Sequence, residues 1–171
     1  MTFSTAVGEV PASRVPMEER SLFNPAFIAV LLHRAVRSWG HERHDGMHVI
    51  LSFLIIPVVL HSPTRASLPR TKKASMLEWI HSHPDSLVYI PSNAVALREN
   101  VSRGLELGLR TGALVSLGAA TVGHGSIKRK TKKTAFTEDV EDCLKAAEFL
   151  GKWFAQQNDY STTLAVWGVR P

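Results

Sequence analysis

Residues 49–60 read Val-Ile-Leu-Ser-Phe-Leu-Ile-Ile-Pro-Val-Val-Leu, twelve consecutive positions without a charge. A stretch that is apolar on nearly every side has no solvent-facing stripe, so it must lie at the centre of a fold. It is too short to cross a bilayer, which takes about 20 residues, and it contains Ser52 and Pro57. Periodicity does not separate a buried helix from a buried strand here. Length and Pro57 favour a central helix over 47–60, since an interior proline disrupts a sheet ladder more completely than it kinks a helix near its end. A chain of 171 residues that is 44% hydrophobic and 20% charged can close one domain around such a segment.

The flanking sequence predicts further helices. Asn24-Pro25 is a helix-start pair, and Phe27, Ile28, Leu31, Leu32, Ala35, Val36 and Trp39 then follow one helical face, with Gly40 as a left-handed stop. Residues 62–69 form a connector with two prolines. A helix over 71–83 places Met76, Leu77 and Ile80 inward and Lys72, Lys73 and Glu78 outward, and His83-Pro84 ends it. Residues 87–90 read as extended. Pro91 opens a helix to 111 with Ala94, Leu97, Val101 and Leu105 inward. Along it Gly104 and Gly108 admit a close neighbour, and Gly112 caps the end. A hairpin is expected from 114–116 and 119–122. Thr137 caps a last helix, with Glu138, Asp139, Glu141 and Asp142 at its positive end and Val140, Cys143, Leu144, Ala147, Leu150, Gly151 and Phe154 buried. Residues 162–169 alternate loosely and read as a strand beside the hairpin.

The expected fold class is therefore α+β: about five helices with a small hairpin or three-stranded sheet, in the element order of a winged helix. Residues 1–20 read as a flexible leader and 21–171 as one globular domain, with an exposed basic loop at 123–136 inside it. Nothing in 1–14 resembles the apolar core of a signal peptide, so a cytoplasmic protein without a membrane partner is expected.

Charge is concentrated in one place. Lys and Arg number 20 against 15 Asp and Glu, and Lys128, Arg129, Lys130, Lys132 and Lys133 account for the whole excess of five. Such a run can lie along phosphates, and it would position double-stranded DNA without reading its sequence, because lysines contact the backbone and no aromatic side chain is interleaved to stack on bases. It can equally meet an acidic protein.

Catalytic and metal chemistry finds little support. His41, His44 and His48 form one array and His81 with His83 another, but eight histidines in this length produce close pairs without any metal to hold. Cys143 is the one cysteine, which excludes an internal disulfide and leaves a thiolate zinc site without ligands. Ser126 follows His124 and Gly125 but lacks the strand and the second glycine of a nucleophile elbow. Gly151-Lys152 is followed by Trp153 where a phosphate-binding loop needs a hydroxyl. Asp139 and Asp142 serve a helix dipole. We therefore expect no catalytic residue, no metal and no cofactor. The aromatic surplus around Phe149, Trp153 and Trp167 reads as a core helix or as a partner-binding face.

Several segments do match a family pattern. Phe23-Asn24-Pro25-Ala26-Phe27, the run from Phe53 to His61 leading to Thr64-Arg65 and Leu68-Pro69, Phe149-Leu150-Gly151-Lys152-Trp153-Phe154-Ala155, and Trp167-Gly168-Val169-Arg170-Pro171 occur in matching order. Together they resemble the middle component of three-component ABC systems over 23–171, apart from 119–133. The resemblance implies a non-enzymatic adaptor of bacterial defence, such as the accessory subunit of Lamassu anti-phage systems. Its partners would be an SMC-like or ABC-type ATPase and an effector nuclease. The alternative is a stand-alone, winged-helix-like nucleic-acid-binding module that uses 128–133.

Overall fold

Gly151 lies against the carbonyl oxygen of Ala35 so closely that a Cβ there would collide with it. Two helices are thereby brought into backbone contact: α1 (Pro25–Gly40) and α7 (Glu138–Ala155). These form the spine of a computed structural model that describes residues 23–127 and 136–170. Between them the chain forms β1 (Met47–His48), a 3-10 turn (Val49–Leu51), α2 (Ser52–Leu60), α3 (Ser62–Ser67), α4 (Met76–Ser82), α5 (Asp85–Ala96), α6 (Arg98–Arg110), β2 (Leu114–Gly118) and β3 (Thr121–His124). Helix α8 (Tyr160–Val166) follows α7.

The architecture is α+β and mostly helical. Asn24 accepts the Ala26 amide and Thr137 that of Val140, so both long helices start where their caps predict. Helix α2 is buried as its composition demands, with Leu54, Ile55, Ile56, Val58 and Val59 fully enclosed. Pro57 is accommodated within it. Gly104 and Gly108 accept close neighbours as expected: a Cβ on Gly104 would overlap Ile28, and one on Gly108 would come 2.8 Å from Leu114. Gly112 takes the left-handed cap, at φ +73°.

Other elements differ from expectation, each for a local reason. Eight helices occupy the described residues where about five are expected. The central helix loses its first turn to β1 and the 3-10 segment, because His48 caps the amide of Ile50. Helix α4 begins at Met76, since the Ser75 side chain accepts the Glu78 amide. The 62–69 connector contains a short helix with Pro63 in its first turn. Residues 87–90 are helical, not extended: α5 starts at Asp85, and Pro91 lies inside it without breaking it. The helix ends at Leu97, at φ −91° and ψ 0°, which also caps the start of α6. Helix α1 ends without a left-handed glycine, with His41 as an αR cap; Gly46, at φ +75°, turns the following loop.

The sheet has order β1-β3-β2 and is antiparallel throughout, with Met47 opposite Val122 and Leu114 opposite His124. A hairpin is present, but its strands are 114–118 and 121–124 and its turn falls at Ala119–Ala120, two residues later than expected, with Ala120 at φ 84°; the third strand of the sheet is β1. Residues 160–166 are helix α8, because Asp159 accepts the Thr162 amide and starts a helical turn that outweighs the β propensity of Thr162 and Thr163. A winged-helix arrangement is not established by this topology.

Candidate interaction surfaces

Trp79, Trp153, Trp167 and Phe154 form one aromatic cluster. Ring centroids lie 5.3 Å apart for Trp79–Trp167, 5.9 Å for Trp79–Trp153 and 6.2 Å for Phe154–Trp167. Each indole N–H is satisfied internally: Trp153 donates to the Ala74 carbonyl at 2.9 Å, Trp79 to the Ser67 carbonyl at 2.9 Å, and Trp167 to the Met76 sulfur at 3.3 Å. This cluster staples the loop before α4 and the turn after α8 to α7. Trp153 and Trp167 are completely enclosed. Their assignment to a partner-binding face is corrected accordingly, since a ring with no exposed surface touches no partner. Of the three aromatic candidates only Phe149 is half-exposed, with its ring 5.4 Å from that of Trp153.

Phe149 opens onto a groove of about 320 Å³ between α7 and the segment after α2, lined by Ala66, Leu68, Pro69, Ala146 and the stem of Arg65. Arg65 builds this wall. One guanidinium nitrogen donates to the Val59 carbonyl at 2.6 Å, tying off the end of α2, and the other pairs with Asp139 on the first turn of α7. Lys145 and Asp142, 3.3 Å apart, match each other's charge at the rim. The result is a groove floored by Ala66, Leu68, Pro69, Ala146 and Phe149 between two ion pairs. Cys143 lies beneath, buried, with its thiol 3.9 Å from the Val59 carbonyl. Burial raises its pKa, which keeps it a protonated, unreactive thiol.

A second, smaller cavity of about 190 Å³ separates the end of α1 from the hairpin, between Trp39, Arg43, Val115, Leu117 and His124. Its surroundings are tied by ion pairs. Lys72 donates to both Glu42 oxygens at 2.5 and 2.6 Å, and Arg43 holds Asp45 in a two-pronged contact. Hydrogen bonding from Lys72, Arg43 and Lys152 holds Glu42, Asp45 and Glu148 respectively below their ordinary pKa. Outside this lining, His33, which the sequence reading passes over, faces the Gly125 carbonyl at 3.3 Å. Burial lowers its pKa, while the Gly125 contact opposes that shift and the nearby His124, Arg37 and Arg34 add to it.

The histidine arrays are not assembled into clusters. His48 stacks on Tyr160 at 3.8 Å, while His83 stacks on Trp79 at 4.4 Å and hydrogen-bonds the Trp79 carbonyl at 2.8 Å. Among the described residues no three His, Cys, Asp or Glu side chains converge as a metal site would require. Asp139 and Asp142 point to Arg65 and Lys145. Lys128, Arg129, Lys130, Lys132 and Lys133 lie outside the described residues. No helix is long and apolar enough to cross a membrane among those residues.

Among the described residues the two most exposed large hydrophobic side chains, Val88 at 66% and Val95 at 79%, both lie on α5, with Tyr89 beside them at 54%. Reading 87–90 as extended hides it. The usable signal is compositional, since no residue from Ser86 to Leu97 is charged.

Compared with known proteins, residues 12–171 match the profile of one family, described as ABC-three component (ABC-3C) system Middle Component 3. The match begins eleven residues ahead of Phe23 and so takes in part of the expected leader. No curated protein and no solved structure matches the chain.

Proposed function

The chain belongs to the Middle Component 3 family of ABC-three component systems, and from that premise we propose that it is a non-catalytic connector in a bacterial defence complex. A middle component works with the other components of its system. In this reading they are an SMC-like or ABC-type ATPase and an effector nuclease, in a Lamassu-type anti-phage assembly in the cytoplasm. The observation that carries the proposal is the family match across nearly the whole chain. The groove at Phe149, apolar with charge-balanced walls, supports it as a place where a second component seats a side chain.

A connector of this kind transmits a state by binding one conformation of the ATPase better than another. Its leverage on the effector equals that difference in affinity and no more. It supplies contact surface, while nucleotide turnover and strand cleavage belong to the other subunits.

The test is co-purification from the native host in high salt, with the wild-type chain and Phe149→Asp. Retention of both partners by the wild type, and loss of one by the variant with an unchanged melting temperature, is the expected result. An ATPase and effector that assemble equally well without this chain would refute the reading. The second reading rests on the positive run at 128–133. If it holds, the isolated chain binds duplex DNA, its affinity falls steeply with salt, and neutralising Lys128, Arg129, Lys130, Lys132 and Lys133 to Gln removes the binding.

A further inference from the structure

Helix α1 carries no Asp or Glu between Pro25 and Gly40. Its core side takes Ile28, Leu31, Leu32, Ala35 and Val36. Helical spacing therefore lines up Val30, Arg34, Arg37 and His41 along the outer side, at i, i+4, i+7 and i+11, and none of the four is buried. Among the described residues neither arginine takes part in an ion pair. The acid that feels both of them, Glu148 on α7, is already held by Lys152 at 2.8 Å. The outer side of α1 thus keeps two uncompensated guanidinium charges.

The end of β3 is fastened to the same flank of α1. His124 meets His33 edge-on, with ring centroids 6.4 Å apart, and a carbon of its ring lies 3.4 Å from where a Cβ on Gly40 would be. The next residue, Gly125, sets its carbonyl 3.3 Å from His33 Nε2. Residue 128, where the positive run begins, is three positions further on, and bond lengths alone keep it within about 11 Å of Gly125.

We propose that the outer side of α1 binds duplex DNA, with Arg34 and Arg37 each meeting a backbone phosphate. The proposal rests on the second reading above, in which the run at 128–133 contacts duplex, and it names the surface of the folded domain that lies on the same duplex. From Arg34 to His41 the helix rises about 10 Å, the length of about three base-pair steps. Guanidinium forks match phosphate oxygens in shape as well as charge. No Phe, Tyr or Trp lies on the stripe, so it offers a single strand nothing to stack on. Its one apolar member, Val30, is only 37% exposed, too little to anchor a protein interface. Contacts of this kind hold a duplex in place without reading its bases.

Fluorescence anisotropy of a labelled duplex of about 20 base pairs, titrated with the full chain between about 50 and 200 mM salt, tests it. Arg34→Gln with Arg37→Gln should lower the slope of log affinity against log salt by about 2 and weaken binding on the order of 50-fold near 0.1 M salt, because two phosphate contacts are lost. Its circular dichroism melt should stay within a few degrees of wild type. Arg34→Lys with Arg37→Lys should keep the slope, since lysine still neutralises a phosphate. Arg98→Gln with Arg103→Gln removes the same net charge from α6, whose first turns lie beside Phe23 ahead of α1, where Asn100 donates to the Phe23 carbonyl at 3.4 Å; it should leave the slope within about 0.5 of wild type. A wild-type chain that binds no duplex at the lowest salt overturns the proposal. So does a slope unchanged by the Arg34 and Arg37 glutamines, or one lowered as much by the α6 pair, which would report net charge alone. The same holds if the glutamines release a co-purified component while duplex binding by the isolated chain is untouched, which would make an acidic protein the occupant. Failure of the reading at 128–133 appears separately, as full duplex binding after Lys128, Arg129, Lys130, Lys132 and Lys133 are neutralised, and the slopes of the α1 variants then still decide this surface.

Discussion

Replacing Gly151 with alanine sets two effects of opposite sign against each other. Gly151 lies in the interior of α7, where alanine is the better helix former by about 1 kcal/mol, so propensity alone predicts stabilisation. The structure predicts the reverse. A Cβ built there meets the Ala35 carbonyl oxygen in frank overlap and lies 2.9 Å from its carbon and 3.0 Å from its Cα. All three are backbone atoms of α1, so no rotamer change relieves the clash, and the spine helices must separate. That opens the seam holding Leu31, Leu32, Leu150 and Phe154, each at most 1% exposed. Overpacking of this kind costs about 1–3 kcal/mol, and the loss of close packing along the seam places it at the upper end, for a net destabilisation of about 2 kcal/mol after the propensity gain. For a domain of this size that is a fall of about 4–8 °C in melting temperature. Gly40→Ala is the matched control: it is also helical, but its nearest neighbour would be a His124 side-chain carbon at an ordinary 3.4 Å. It should leave the melt within about 2 °C of wild type or raise it. Calorimetry or urea unfolding of the three proteins decides the matter. If Gly151→Ala melts at or above wild type, the α1–α7 backbone contact is not the feature that sets this packing.

Three further outcomes follow from particular contacts. Arg65→Met should cost about 2–3 kcal/mol in urea unfolding, because the Val59 carbonyl loses a buried donor and Asp139 its cation. Trp153→Phe should cost about 2 kcal/mol by removing the indole donor from the Ala74 carbonyl and leaving a void beside Trp79, and near-ultraviolet circular dichroism should register the loss of ring packing. For pH, the pKa of buried His33 is lowered on folding from 6.5, so the unfolded chain binds the extra proton first. Its contribution is complete above 6.5 and is lost as pH falls from there through the folded value, so the melting temperature should drop across that window and the drop should shrink in His33→Phe. Glu42, Asp45 and Glu148, also lowered, act in the same direction further down, as pH falls through and below the usual carboxylate range.

What could be read from the sequence was whatever a single local interaction decides. Asn24 and Thr137 each accept an amide two or three residues on, and that bond needs no distant partner, so the starts of α1 and α7 are evident in the chain itself. The close approaches at Gly104 and Gly108 are likewise visible as glycines spaced every four residues in an otherwise helical pattern. Elements set by competition between local preferences were misread. Asp159 overrides a β-prone stretch to start α8, and Pro91, a helix opener by rule, is carried inside α5 because the helix had already begun at Asp85. The exposed apolar side of α5 was hidden for a deeper reason. Trp153, fully enclosed, and Val95, mostly exposed, send the same hydrophobic signal, and only the tertiary packing assigns one to the core and the other to the surface. Helical periodicity can place Val88 and Val95 on one face, but it does not say whether that face meets the same chain or another. The absence of charge from Ser86 to Leu97 carries more information. A helix whose far side faces only water normally gains solubility and i,i+4 pairs by placing Glu and Lys there, as α6 does with Glu99–Arg103 and Glu106–Arg110. Helix α5, next to it in sequence, carries one charge in its first turn, Asp85, and none from Ser86 onward, so its outer side is poorer in charge than exposure to water alone favours.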